Sequence, residues 1–235
     1  MTAELQSVRD RYARREHGDF QNLYERLAPY PHYSWQERER VLAQLLRKKL
    51  QSAAVSEAKC LEIGCGSGNN LQQLLSLGFS ANNLFGNELL ESRVDKARAQ
   101  LPSAITIWAG DALALDLPQN AFDIVYQSTV FSSILDKKFQ ENLAAAMWAW
   151  TKPGGAVLWY DFIYNNPRNA DVRGVPISRL KALFPDAAPS IRRVTLAPPV
   201  GRGLARISPR LIPMVNSCMP ILRTHIWAWI AKPQI

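Results

Sequence analysis

Leu61-Glu62-Ile63-Gly64-Cys65-Gly66-Ser67-Gly68-Asn69-Asn70 is the turn on which the reading of this chain depends. A short apolar run enters it, three alternating glycines make the bend, and residues 71–77 leave it with helical periodicity, stopping at Gly78. Glycines at such spacing permit backbone torsions closed to other residues and let a ligand touch the main chain. The open amides at the start of the following helix attract negative charge. Glu88 lies twenty positions after Gly68, at the end of the next apolar run. A carboxylate there is placed to accept hydrogen bonds from a ribose diol. A dinucleotide fingerprint requires Gly-x-Gly-x-x-Gly, whereas here Asn69 follows Gly68.

Outward from this turn, strand and helix patterns alternate. Strands are expected at 59–63, 84–88, 105–108, 122–127 and 156–162, with helices at 71–77, 92–101 and 137–150. Ser92 is read as the cap of the second of these helices, and Pro153-Gly154-Gly155 as the stop of the third. A short helix near 177–184, a strand at 191–196, a Pro-rich apolar segment to about 222 and an aromatic strand at 224–231 close the chain. Before the turn, 5–27 and 36–50 read as helices, joined by an aromatic loop with Ser34 as N-cap. Repeated strand–helix units imply an α/β fold with a parallel sheet covered on both faces. Residues 1–50 then form a helical extension ahead of one domain over 51–235.

Composition bounds the class. The chain has 235 residues with 47% hydrophobic and 20% charged residues, a globular balance that excludes a disordered or fibrous chain. No apolar run is long enough to span a bilayer and the N-terminus lacks the apolar core of a signal peptide, so a cytoplasmic setting is expected. Cys60, Cys65 and Cys218 are too scattered for a disulfide framework or a zinc site. The net charge of +8 is unevenly spread. Residues 51–165 carry seven basic and eleven acidic residues, whereas 166–235 carry eleven basic and two acidic. The excess points to an acidic partner or to a solvated basic face.

The ordered motifs over 59–162 resemble the class I S-adenosylmethionine-dependent methyltransferases. The glycine turn is similar to their first motif and Gly86-Asn87-Glu88-Leu89-Leu90 to their second. Ala109-Gly110-Asp111-Ala112-Leu113 resembles their adenine-binding segment, and the Phe122-Asp123-Ile124-Val125-Tyr126-Gln127 and Thr151-Lys152-Pro153-Gly154-Gly155 stretches the motifs around the fourth and fifth strands. The resemblance implies a Rossmann-like seven-stranded sheet of order 3-2-1-4-5-7-6 with strand seven antiparallel. It implies that Gly64, Cys65, Gly66 and Gly68 line the methionine moiety and that Glu62 orients the loop. Glu88 then holds the ribose, Leu89 lies under the adenine, Asp111 and Ala112 flank it, and Gln127 and Ser128 sit near the sulfonium. Cys65 is also read as a small core residue, and Asp111 as a turn cap. No metal is expected.

Methyl transfer to an alcohol asks for a base, and Asp161, after the fifth strand, is the first candidate, His32 the second. Asp161 is equally read as a structural carboxylate bonded to loop amides. The Asn165-Asn166-Pro167 stretch does not match the motif of amino-group methyltransferases that act on bases, where Gln127-Ser128-Thr129-Val130 stands instead. Residues 159–174, with Arg11-Tyr12 and 35–40, resemble bacterial methyltransferases associated with polysaccharide and lipopolysaccharide synthesis. That likeness implies O-methylation of a sugar or glycan, phosphorylated or lipid-linked, or of another small-molecule hydroxyl. Tyr33, Trp35 and Tyr160 are then sugar-stacking candidates, and Asn166, Arg168 and Arg173 hydroxyl or phosphate holders. An RNA methyltransferase and a non-catalytic scaffold are the rival readings. Against RNA, the tail lacks a dense basic run. Residues 204–222 are read either as a helical crossover or as a segment lying on a membrane surface, which would make the protein peripheral at the inner face.

Overall fold

The computed structural model describes residues 3–16, 25, 27–50, 55–167 and 169–234. Strands β1 (Cys60–Ile63), β2 (Leu84–Glu88), β3 (Thr106–Ala109), β4 (Phe122–Ser128), β5 (Thr151–Phe162), β6 (Ser190–Leu196) and β7 (Arg223–Ala231) form one sheet of order β3-β2-β1-β4-β5-β7-β6. Every neighbouring pair is parallel except those of β7, which runs antiparallel to both β5 and β6. The expected topology is therefore present. Both faces of the central strands are buried, which is why the core of β5 reads as an unbroken apolar run and why Glu62 in β1 is buried with its apolar neighbours.

Helices α1 (Ala3–Glu16), α5 (Lys137–Trp150) and α6 (Ile177–Leu183) cover one face, over Val125, Val157, Trp159 and Ile226. Helices α2 (Pro29–Lys49), α3 (Asn69–Ser76) and α4 (Glu91–Gln100) cover the other, over Ile124, Tyr126, Leu158 and Trp227. Helices α7 (Pro198–Ile207) and α8 (Leu211–Cys218) link β6 to β7 and pack against α2.

Four local expectations are corrected. The aromatic loop at 28–35 is helical, because Pro29 takes the first helical position, where a missing N–H costs nothing; Ser34 lies inside α2 and caps nothing. Helix α4 starts at Glu91 behind Leu90, whose N–H is taken by the Glu88 carboxylate, so Ser92 is not its cap. Helix α5 ends at Trp150 with Thr151 bonding back to Met147, and Pro153-Gly154-Gly155 belongs to β5, where the register with β4 shifts. Gly155 is pressed on the Asp123 carbonyl, which leaves no room for a side chain. The first helix is described only to Glu16; the expected remainder to residue 27 falls mostly outside the described residues.

Candidate active site

The three glycines of the turn all have positive φ, at 66°, 56° and 87° for Gly64, Gly66 and Gly68. Their surroundings differ. A methyl group on Gly64 would meet Val130 at 2.5 Å, and one on Gly68 would meet Leu101 at 2.5 Å, so those two serve packing. One on Gly66 would meet nothing within 4 Å, so the main chain there borders open space. The same holds at Gly110, whose φ is 103°.

Glu88 ends β2 and is almost wholly buried. One carboxylate oxygen accepts from the Gly66 N–H at 2.8 Å, the other from Leu90 N–H at 2.9 Å. A carboxylate has about four acceptor positions, so two remain for a ligand. Gly110 N–H bonds to the Glu88 carbonyl, and Asn87 holds the Gly110 carbonyl, which brings Asp111 and Ala112 beside Glu88. One oxygen of Asp111 caps the short turn that follows, accepting from Leu113 N–H at 2.9 Å. Leu89 is half-buried, and Ala112 is buried.

Beneath the turn, Glu62 is fully buried. Burial pushes its pKa up to about 8, although the Asn70 hydrogen bond and Arg38 both pull it down. Asn70 donates to one of its oxygens; the other has no partner among the described residues. Arg38 projects from α2 into the same region. It donates to Asn70 at 2.8 Å, Tyr126 at 3.0 Å and Ser128 at 2.8 Å, and lies 4.1 Å over the ring of Tyr160. The Tyr160 hydroxyl in turn pairs with Thr195 at 3.0 Å. Arg38 and Asn70 were not among the residues singled out from sequence. The signal for Arg38 was present: it sits three and four residues before Val41 and Leu42, a charge on the buried stripe of its helix.

Gln127 and Ser128, at the end of β4, meet different fates. Ser128 faces Arg38, whereas Gln127 is fully buried and ties Val130 N–H to the Tyr160 carbonyl. Thr129 follows with a φ of 58°, a strained bend for a β-branched residue at the strand end. Cys65 is buried and burial pushes its thiol far up, so it packs as a small core residue and is no nucleophile.

The surroundings of Asp161 fit the structural reading of this carboxylate, bonded to loop amides. The carboxyl is completely buried and accepts from Ser132 N–H at 3.1 Å and Phe162 N–H at 2.9 Å, latching the loop after β4. Burial raises it to about 7, yet it opens on no solvent. His32 is exposed on the first turn of α2, edge-on to Tyr33 at 6.1 Å. His225 stacks on Tyr160 at 5.4 Å; burial and Arg38 lower it to about 3, so its imidazole stays neutral.

Of the expected acceptor residues, Tyr160 lies in the Arg38 cluster. Tyr33 instead lines a groove between α2 and α8, and Trp35 is half-buried on α2. Asn166 and Arg173 are exposed, with the Arg173 N–H donating to the Ser132 carbonyl; Arg168 lies outside the described residues. No group of three His, Cys, Asp or Glu able to hold a metal occurs among the described residues.

Helix α1 straps this region. Arg9 reaches the Leu89 carbonyl, and Arg93 lies 4.4 Å over the Tyr12 ring, on the β2 side. On the β4 side Arg11 donates to the Ser133 carbonyl at 2.9 Å and Glu4 accepts from Leu135 N–H at 2.8 Å.

A family model described as a methyltransferase domain matches residues 60–155. The chain is 25% identical over 127 residues to a sterol 24-C-methyltransferase of Yarrowia lipolytica, which covers 48% of this chain and 32% of that protein. It therefore spans about a third of the length of that curated relative. Among solved structures it resembles a SAM-dependent methyltransferase from Archaeoglobus fulgidus, with a TM-score of 0.58 and 16% identity over 86% of this chain and 99% of that one. It also resembles a phosphoethanolamine N-methyltransferase of Haemonchus contortus in complex with S-adenosyl-L-methionine, with a TM-score of 0.52 and 15% identity over 80% of this chain and 53% of that one. Strand order, glycine turn and domain match agree: residues 60–155 match the methyltransferase-domain model, and the sheet has the fold of the SAM-dependent methyltransferases it resembles.

Proposed function

We propose that the chain is an S-adenosylmethionine-dependent methyltransferase that acts on a hydroxyl of a glycan or small molecule. The cofactor reading is carried by the open main chain at Gly66 together with a buried Glu62 oxygen, below the same turn in the chain, that has no partner among the described residues. A buried polar atom without a partner costs on the order of 1–3 kcal/mol, and a ligand donor would remove that cost. The cofactor's amino group is such a donor, and Arg38 is a cation suited to its carboxylate. Glu88 has acceptor positions left for the ribose hydroxyls. When bound, the cofactor supplies an electrophilic methyl group on a positively charged sulfur.

The chain's own residues then position and shield. Thr129 and Ser128 present the strand end, and the ring of Tyr160, fixed by Thr195 and Arg38, walls the acceptor side. With Asp161 tied to two amides and His225 held neutral, the reading relies on orientation of the acceptor more than on a dedicated base. The hydroxyl acceptor is supported by the polysaccharide-type likeness of residues 159–174 and 35–40.

Calorimetry with S-adenosylmethionine tests the first half: wild type binds, and Glu88→Ala loses about ten-fold or more in affinity. No binding by the pure wild-type chain would sink the enzyme reading. Transfer of labelled methyl to a panel of sugars, amines and RNA tests the second. Label recovered only on nitrogen or on RNA would replace the hydroxyl acceptor.

A further inference from the structure

The segment between β6 and β7 has a second side. Its inner side is well packed: Gly201 lies against the ring of Tyr30, and Ile212 joins Tyr30 and Leu196 in a small core. Its outer side exposes Ile207 (78%), Met214 (54%), Met219 (47%) and Ile221 (74%). These are four of the six large apolar side chains so exposed among the described residues, gathered within fifteen positions. Pro213, Cys218 and Pro220 are exposed beside them. Water-facing surface of this composition marks a contact surface.

Charge selects the occupant. Arg206 and Arg210 stand exposed within the apolar run, and no acidic residue occurs after Asp186. A second copy would bring the same arginines against their own images. Anionic lipid headgroups complement them, and the apolar side chains between suit the acyl boundary. No described helix is long and apolar enough to cross a membrane, so such a segment would lie on the surface.

We propose that the outer side of α7, α8 and the turn Pro220–Leu222 docks on the surface of an anionic lipid bilayer. Helix α8 then serves two sides at once. Pro213 and Ser217 also border a groove of about 320 Å³ between α8 and α2, lined by Tyr33, Glu37, Arg40 and Ile212. The groove is walled by the helix that carries Arg38 to the methyl-transfer region.

The test is flotation with vesicles of phosphatidylcholine, with and without phosphatidylglycerol. The chain should float with the anionic vesicles and be released by salt. Arg206→Gln with Arg210→Gln should lower partitioning about five-fold per arginine. Ile207→Ser with Ile221→Ser should lower it more than about ten-fold, and, being exposed, should leave the circular dichroism spectrum unchanged. Failure to float with anionic vesicles, or flotation indifferent to both double substitutions, overturns the proposal. So does self-association that Ile207→Ser with Ile221→Ser dissolves while vesicles capture nothing, which assigns the face to a second copy. The readout needs neither methyl donor nor acceptor, so its failure is distinguishable from failure of the proposed activity.

Discussion

Glu62→Gln isolates the most unusual electrostatic feature of the site. Burial lifts the Glu62 carboxyl from the ordinary 4.5 to about 8 in the folded chain. Between those values the folded state binds more protons than the unfolded state. Stability therefore falls as pH rises through that window and is flat below it. The limiting slope is about 1.4 kcal/mol per pH unit, and water entry and relaxation of Asn70 and Arg38 reduce it. Glu62 by itself is expected to contribute a loss on the order of 3 kcal/mol between pH 5 and about 8. Glutamine keeps the shape and the acceptor that Asn70 uses, and removes the titration. Urea denaturation across this range should thus give a shallower pH slope for Glu62→Gln, with the two proteins nearly equal at the acid end. Asp161 titrates in an overlapping window, but it is present in both proteins and cancels in the difference. Parallel pH profiles for wild type and Glu62→Gln would refute the burial argument.

Three further outcomes follow from named contacts. Gly66→Ala should cost about 1–2 kcal/mol for its positive φ and weaken cofactor binding sharply; Gly68→Ala should instead lose more stability through its clash with Leu101, and equal cofactor loss in both variants would contradict the distinction. Asp161→Asn should cost about 2 kcal/mol, because the amide nitrogen cannot accept from Ser132 or Phe162 N–H, and should speed hydrogen exchange at residues 129–134; unchanged exchange would argue against the latch. Arg11→Ala removes the bonds to Glu4 and Ser133, so exchange over α1 should quicken and cofactor dissociation should accelerate several-fold; an unaltered dissociation rate would mean that α1 does not gate the cleft.

What the sequence disclosed was what short-range signals carry. The glycine turn, the strands that flank it and Glu88 are each written in a few neighbouring residues, and local periodicity with glycine punctuation suffices to order them. Pro29 misled because proline at the first helical position looks the same as proline in a loop. Gly154 and Gly155 misled for a like reason, since glycine both ends helices and bends strands. Asp161 was legible as a carboxylate at a strand end, but its role depends on the Ser132 amide, twenty-nine positions away, that closes over it. Arg38 is the plainest case. Its contacts exist only once α2 carries it onto Tyr126, Tyr160 and Trp227, and nothing in its own neighbourhood says which strands those lie on.

The uneven charge takes a physical meaning from the placement of these elements. The acidic middle supplies Glu62 and Glu88, carboxylates held beneath and beside a main chain left open at Gly66. Helix α1 ties the loop after β2 to the loop after β4 through Arg9 and Arg11. The arginines of β6, α7 and α8 belong to the other end of the sheet, where these elements pack on α2. Charge there cannot serve the ribose or the adenine. It faces the proposed bilayer side of α8, and α2 is the element that packs against α8 and carries Arg38 to the strand ends.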